Sequence, residues 1–398
     1  MEGGLKEELT LRIVKKLADI NQEQWDACAN PVLVSDKDYR SYDPFVSYDF
    51  LNALEESQSA VPDTGWAPRH LILEDKNGLL LGAVPMYIKN HSRGEYVFDY
   101  QWADAFEHAG GFYYPKLQVS IPFTPVTGRR LLVCPGKHEK TLETVLVEGC
   151  MQAAKQLAVS SLHFTFLNRE HADRLEESGF LRRTDQQFHW QNEGYDDFRD
   201  FLAALSSKKR RNIQRERRIA LENGIQIELL TGTEITESHW DAFFRFYMDT
   251  GSRKWGTPYL TRRFFSMVGA SMANQILLIM CRLGENYVAG ALNFIGGDCL
   301  YGRYWGALGD FPFLHFEVCY YQAIEYAIQH KLSFVEAGAQ GEHKLARGYL
   351  PHQTHSAHWI ANDSFRSAIA DYLVSERRYV SENIQIWHEH SPFRSEKN

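Results

Sequence analysis

The sequence predicts an α/β protein of two similar halves, each a mixed, largely antiparallel sheet flanked by helices. Three observations carry that expectation. A β-hairpin recurs, each hairpin is followed by an amphipathic helix and a further strand, and each half closes on the same glycine-to-tryptophan spacing. Turn, strand and spacing recurring together indicate duplication. A chain of 398 residues is also too long for one ordinary core and suits two domains.

The first hairpin is Leu71 to Ile88, LILEDKNGLLLGAVPMYI, turning at Asn77-Gly78, where glycine tolerates positive φ. A long insert follows, residues 91–136. It makes the first half about 39 residues longer, from hairpin glycine Gly82 to closing glycine Gly179, than the second is from Gly290 to Gly348. The insert carries Tyr96, Asp99, Tyr100, Trp102, Asp104 and His108, then Pro122 to Val126. So long a connection is a functional segment, a lid or a packing insert, and its aromatics suit it to pack down. An amphipathic helix then spans Lys140 to Ala158, and a strand starts at Ser161. The half closes with Gly179-Phe180-Leu181 ahead of His189-Trp190.

A basic helix links the halves. Ser206-Ser207 caps its start and Asn223-Gly224 stops it. Lys208, Arg211, Arg215 and Arg218 share one face by 3-and-4 spacing. Lys208, Lys209, Arg210 and Arg211 fill the first turn, where cations oppose the helix dipole. That local cost points to an anionic partner; the alternative is a solvated face compensated by Glu216 and Glu222. The second hairpin is Ile276 to Ile295, and both second strands open on Gly-Ala, at Gly82-Ala83 and Gly290-Ala291. The second helix runs from His315 to His330, with Phe316, Tyr320, Ala323 and Ala327 on one face. A strand begins at Leu332, and Gly348-Tyr349-Leu350 precedes His358-Trp359 at the same spacing. The expected domains are 1–195, a basic linker at 196–225, and 226–398.

Composition narrows the function classes. Hydrophobic residues at 44% and charged residues at 24% are globular values. A formal net charge of -8 gives no global attraction to nucleic acid or membrane, so any anion site must be local. The N-terminus lacks the pattern of a secretory signal, and no apolar run reaches spanning length, so a cytoplasmic protein is expected. The six cysteines are scattered without CxxC spacing and read as reduced core thiols. No GxSxG elbow, P-loop or clean GxGxxG appears, which leaves hydrolase, kinase and dehydrogenase readings without a motif.

The densest polar stretch lies near the C-terminus. FVEAG runs into AQGEHKLARGYLPHQTHSAHW, which brings together Glu336, Gln340, Glu342, His343, Lys344, Arg347, His352, His355 and His358. Strand ends in α/β domains are where sites collect. Glu336 or Glu342 suits a base for an amine or hydroxyl nucleophile, with His343 beside them. Lys344 and Arg347 suit an acyl-donor phosphate or a developing oxyanion. Structural salt bridges are the competing role for each charge. Pro351 argues for an extended segment around the three later histidines, which would point i and i+3 to opposite faces, so no metal site is expected.

These residues give the chain a likeness to a known family. PRHLILED, the insert from YVFDYQWADAFEHAGG to IPFTPVTG, KKRRNIQRERR, LHFEVCYYQAIEYAI, GEHKLARGYLP and THSAHWI resemble the FemAB-like branch of the GNAT acyltransferase superfamily. The resemblance covers about Leu11 to Phe393. It implies tandem GNAT-like domains and an acyl- or aminoacyl-transferase acting on an amine, with acyl-CoA or aminoacyl-tRNA as donor and a cell-wall-precursor-like acceptor. It makes Lys208, Lys209, Arg211, Arg215 and Arg347 anion contacts, with Asp99, Trp102 and Asp104 in the substrate region. Glu336, Glu342, His343 and Lys344 become the catalytic candidates. The pattern departs from simple acetyltransferases at Arg303 to Pro312, RYWGALGDFP, which lacks the [QR]xxGx[GA] pyrophosphate loop. A recognition module for a phosphorylated or glycan ligand, or a tRNA-binding accessory protein, is the alternative that departure leaves open.

Overall fold

The computed structural model describes residues 8–32, 41–254, 257–338 and 341–394. Contacts divide the chain into two units, Met1–Asp185 with Thr354–Val380, and Gln186–Gln353 with Ser381–Asn398. The chain passes from the first unit to the second at Asp185 and returns to the first unit near its C-terminus.

The first unit runs β1 (Thr10–Val14), α1 (Gln22–Ala29), α2 (Tyr48–Glu56), β2 (Trp66–Pro68), β3 (His70–Glu74), β4 (Leu80–Val84), β5 (Met86–Lys89), α3 (Tyr100–His108), β6 (Lys116–Val119), β7 (Leu132–Val133), α4 (Glu139–Gln156), β8 (Ser161–Leu167), α5 (Arg169–Glu177) and β9 (Leu181–Gln191). The expected hairpin is β3–β4. Gly78 takes φ +80, and the Asp75 carboxylate accepts from the Asn77 and Leu79 amides at 2.8 Å each. Pro85, which lacks an N–H for the ladder, separates β4 from β5. β4 lies in a sheet ordered β1-β3-β4-β7, whereas β5 joins β2, β6 and β8. Gly82 is bare because a Cβ there would lie 3.0 Å from Leu146 of α4. That close approach seats α4 over the core formed by Leu73, Val84, Leu146, Cys150, Leu162 and Phe164.

The 91–136 insert is built into this unit. It supplies α3, β6 and β7, and β6 pairs antiparallel with β5 and parallel with β8. Lys116, Gln118 and Ser120 are buried, so the segment is a packing element of the sheet.

The second unit takes the end of β9 and continues through α6 (Phe198–Ala204), α7 (Ser207–Leu221), β10 (Ile225–Leu230), α8 (Glu237–Lys254), α9 (Arg262–Ser271), β11 (Ile276–Leu283), β12 (Asn286–Ile295), β13 (Cys299–Ala307), α10 (Leu314–Phe316), a π-turn (Glu317–Tyr321), α11 (Gln322–Gln329), β14 (Phe334–Glu336), a 3₁₀ turn (Glu342–Arg347) and the start of β15 (Leu350–Ile360); the rest of β15 and most of α12 (Asp363–Glu389) return to the first unit. Its sheet is ordered β10-β11-β12-β13-β14-β9. All its pairs are antiparallel except β13–β14. α7 matches the expected basic helix, and β11–β12 the second hairpin. The expected second helix is interrupted by the π-turn. The following strand is shorter than expected, with three residues. Trp190, Phe201, Ile279, Leu300, Ile324 and Tyr349 belong to this unit's core.

Residues of β15 from His355 to Ile360 pair with β8, which is why 354–380 belongs to the first unit. The two closing glycines take left-handed backbone, Gly179 at φ +87 and Gly348 at φ +94. Each is followed by an 11-residue strand, β9 and β15. Among the described residues no helix is long and apolar enough to cross a membrane.

Candidate functional site

Parallel strands bring their carboxyl ends to one edge, and sites in such sheets gather there. In the second unit that point lies just past Tyr301 and Glu336, the last paired residues of β13 and β14. β13 continues to Ala307 after the pairing stops. Glu336 sits at this point with its side chain 13% exposed. His189 of β9 is its register partner, and His189 Nδ1 lies 3.9 Å from Glu336 Oε1. The His352 ring stacks on His189 with centroids 4.5 Å apart. Gln187 Oε1 lies 3.1 Å from His189 Nε2. Burial pushes His189 well below the usual histidine range, with His352 and Lys344 adding to it. The ring is therefore neutral near pH 7. With its Nε2–H donated to Gln187, its bare Nδ1 faces Glu336.

Lys344 comes to this group from the 3₁₀ turn. Gly341 (φ +119) precedes the turn and Gly348 (φ +94) follows it. Lys344 is 1% exposed, and Nζ donates to Gly338 O at 2.7 Å. Burial pushes its ammonium down to about 7, against the pull of Cys319 and Glu336 and reinforced by Arg303. So depressed an ammonium gives up its proton more readily than an exposed lysine, and its neutral form can accept one. Glu342 and His343 are exposed. The Tyr320 hydroxyl lies 2.9 Å from His343 Nε2. Gln340 lies outside the described residues.

Arg347 ties the turn to the basic helix. Its guanidinium donates to Glu216 at 3.2 and 2.8 Å and to His343 O at 2.7 Å. It also lies 3.5 Å from the Phe316 ring centroid. Tyr321 donates to the same Glu216 carboxylate. Arg347 thus fixes α7 against the turn. Lys208, Arg211 and Arg215 are exposed, and Lys209 is half-buried. Glu222 offsets Arg218, whereas Glu216 is turned inward to Arg347. On the inner side, Arg217 forks to Glu317 at 2.9 Å and Glu325 at 2.8 Å. A cleft of about 440 Å³ opens there, lined by Phe198, Leu202, Gln214, Arg217 and Glu325 among others.

The insert residues occupy the first unit. Asp99 is buried and accepts from Lys116 Nζ at 2.5 Å and the Tyr113 hydroxyl at 2.7 Å. Lys116 also donates to Glu95 at 2.7 Å. Although burial opposes it, the Lys116 charge holds the Asp99 carboxyl well below its usual range. Trp102 packs edge-on against His358, centroids 5.0 Å apart, and carries Arg183 at 5.0 Å from its ring. Asp104 is exposed. His163 and His358 meet Nδ1 to Nδ1 at 2.7 Å. The three C-terminal histidines take separate partners, His352 with His189, His355 with Arg182 at 3.3 Å, and His358 with His163. Cys28 and Cys134, far apart in sequence, approach to 2.7 Å between sulfurs.

Sequence reasoning missed His189, His352 and Arg303 as neighbours of Glu336 and Lys344. His189 was visible only as part of the closing signature. The repeat places its strand, but its neighbour β14 follows from pairing across the chain.

A family profile for FemAB-like proteins, described as peptidoglycan biosynthesis/recognition, matches residues 16–395. No curated protein matches the chain by sequence. Among solved structures, FemX is similar at a TM-score of 0.53 and 12% identity, over 88% of this chain and 98% of that one. L-PGS from Bacillus licheniformis is similar at 0.50 and 8%, over 84% and 98%. The C-terminal domain (DUF2156) of a putative lysylphosphatidylglycerol synthetase from Agrobacterium fabrum is similar at 0.52 and 8%, over 89% and 96%. At these identities the likeness is one of fold.

Proposed function

The chain belongs to the FemAB-like family of peptidoglycan biosynthesis/recognition proteins, and from that premise we propose that it is a cytoplasmic N-acyl- or N-aminoacyl-transferase with an amine acceptor. The observation that carries this reading is Lys344, 1% exposed and pushed down to about 7 by burial, with Glu336 among the charges that act on it. Attack by an amine on an acyl carbonyl needs a neutral nucleophile and a place for the proton it sheds. Glu336 and the bare Nδ1 of His189 are two acceptors facing each other across 3.9 Å. An acceptor amine placed there can donate to both. Lys344 in its neutral form takes the proton as the carbon–nitrogen bond forms, and the leaving thiol or hydroxyl is reprotonated as the acyl bond breaks. Positioning and electrostatics do most of the work in this scheme, without a covalent enzyme intermediate.

The donor in this reading is acyl-CoA or aminoacyl-tRNA, and the acceptor is a cell-wall-precursor-like amine. Lys208, Lys209, Arg211 and Arg215 of α7 are the proposed contacts for the anionic part of either. Arg347 contributes by orienting α7 through Glu216. Glu342 and His343 are placed at the exposed rim of the turn. A second reading, ligand recognition without turnover, is favoured by the missing pyrophosphate-loop pattern at Arg303 to Pro312.

Acyl transfer to amine acceptors, assayed with acetyl-CoA and with aminoacyl-tRNA, separates the two. The transferase reading expects donor-dependent product, and a fall of about 10²–10⁴-fold in Glu336→Gln and Lys344→Met with circular dichroism unchanged. Full activity in both variants would remove these residues from the chemistry. Saturable ligand binding without product from either donor would favour recognition.

A further inference from the structure

We propose that Cys28 and Cys134 form a reversible disulfide, making the first unit a site of thiol–disulfide exchange with a small disulfide such as oxidised glutathione. The two residues are distant in sequence, yet the fold brings their sulfurs to 2.7 Å. Both thiols also face one carbonyl, Leu80 O, at 3.8 and 3.5 Å. A disulfide needs a sulfur separation of about 2.05 Å, so closure asks for a shift of less than about 1 Å.

The backbone holds the pair in place. Cys28 lies in the last turn of α1, where Arg129 donates to Cys28 O at 3.4 Å and to Ala29 O. Cys134 follows β7, and its amide donates to Leu81 O at 3.1 Å. Access is one-sided, because Cys28 is buried and Cys134 is part-exposed. Cys150, Cys281 and Cys299 are buried, and Cys319 is half-buried in the second unit. The hydrogen bond with Cys134 and then burial push the Cys28 thiol up, which argues against Cys28 starting the exchange; the first of these causes is removed once Cys134 is in the mixed disulfide.

The exchange has two steps. The Cys134 thiolate attacks one sulfur of the oxidised partner, forming a mixed disulfide and releasing one thiolate. Cys28 sulfur then attacks Cys134 sulfur, the mixed disulfide breaks, and the second thiolate leaves. The two cysteine protons end on the two released thiols. The cysteines are oxidised by two electrons and the partner disulfide is reduced by two.

The test is incubation of the folded full chain with oxidised glutathione, an acid quench, intact-mass measurement and peptide mapping. The expected result is a chain lighter by two hydrogens, a Cys28–Cys134 linked peptide, and recovery of both thiols in dithiothreitol. Cys28→Ser should stop at a stable glutathione adduct on Cys134. A lasting adduct on Cys134 of the unmodified sequence, linkage between other cysteines, or no change in mass would each overturn the proposal. Mapping of the unmodified sequence stands whether or not the variant folds.

Discussion

At the scale of single residues, two titrations set opposite expectations. Lys344 loses its proton near pH 7 because burial disfavours its charge. If it is the proton acceptor, turnover rises with pH through about 7 and then levels, and Lys344→Met loses that limb. If it acts as a cation toward the developing oxyanion, turnover instead falls above about 7, so a pH–rate profile decides its role. His163 contributes to the pH dependence of stability, together with His358, which burial also pushes down. Burial first, then Lys116 and Arg183, push His163 down to about 3 against Asp99, while an unfolded histidine titrates near 6.5. Between those values the unfolded chain binds more protons than the folded one, so stability rises with pH across the window. The thermal midpoint of the first unit should therefore be lower at pH 4 than at pH 7. His163→Phe, which cannot protonate, should flatten that slope; an unaltered slope would remove His163 as a contributor.

At the scale of elements, the basic helix sets stability against recognition. Cations in its first turn oppose the dipole and have no side-chain cap to help them. Lys208→Glu and Lys209→Glu should each stabilise the fold by about 0.5 kcal/mol while weakening binding of the anionic donor. Thermal melts and donor titrations at two salt concentrations check both arms together. Hairpins, this helix and the closing glycines were legible in the sequence because each is a local device: a turn at Gly78, 3-and-4 spacing, a left-handed backbone at Gly179 and Gly348. The insert was legible as an insert, but which of its residues form strands was not. β6 exists because β5 and β8 flank it, and its Lys116 is buried only because Asp99 and Glu95 meet it. The candidate site divides the same way. Glu336 and Lys344 stand close in sequence, whereas His189 reaches them through pairing between distant strands.

At the scale of the whole chain, each unit is made of two stretches. The first takes β15 residues along β8, with Ala357 in its main core and Ile360, Ile369 and Leu373 in a satellite cluster with Trp102 and Tyr113. A fragment ending at residue 195 would lack these residues and expose an apolar strand edge. It should accumulate as aggregate, and co-expression of residues 350–380 should recover soluble protein; a cooperative melt from the short fragment alone would refute this. The same return path also sets a schedule during synthesis. Roughly 170 residues separate Asp185 from Thr354, so at about 5–20 residues per second the ribosome needs roughly 8–35 s to deliver the missing strand. For that interval the nascent first unit holds an open sheet edge, and whatever shields it then is as much a requirement of this fold as its finished core.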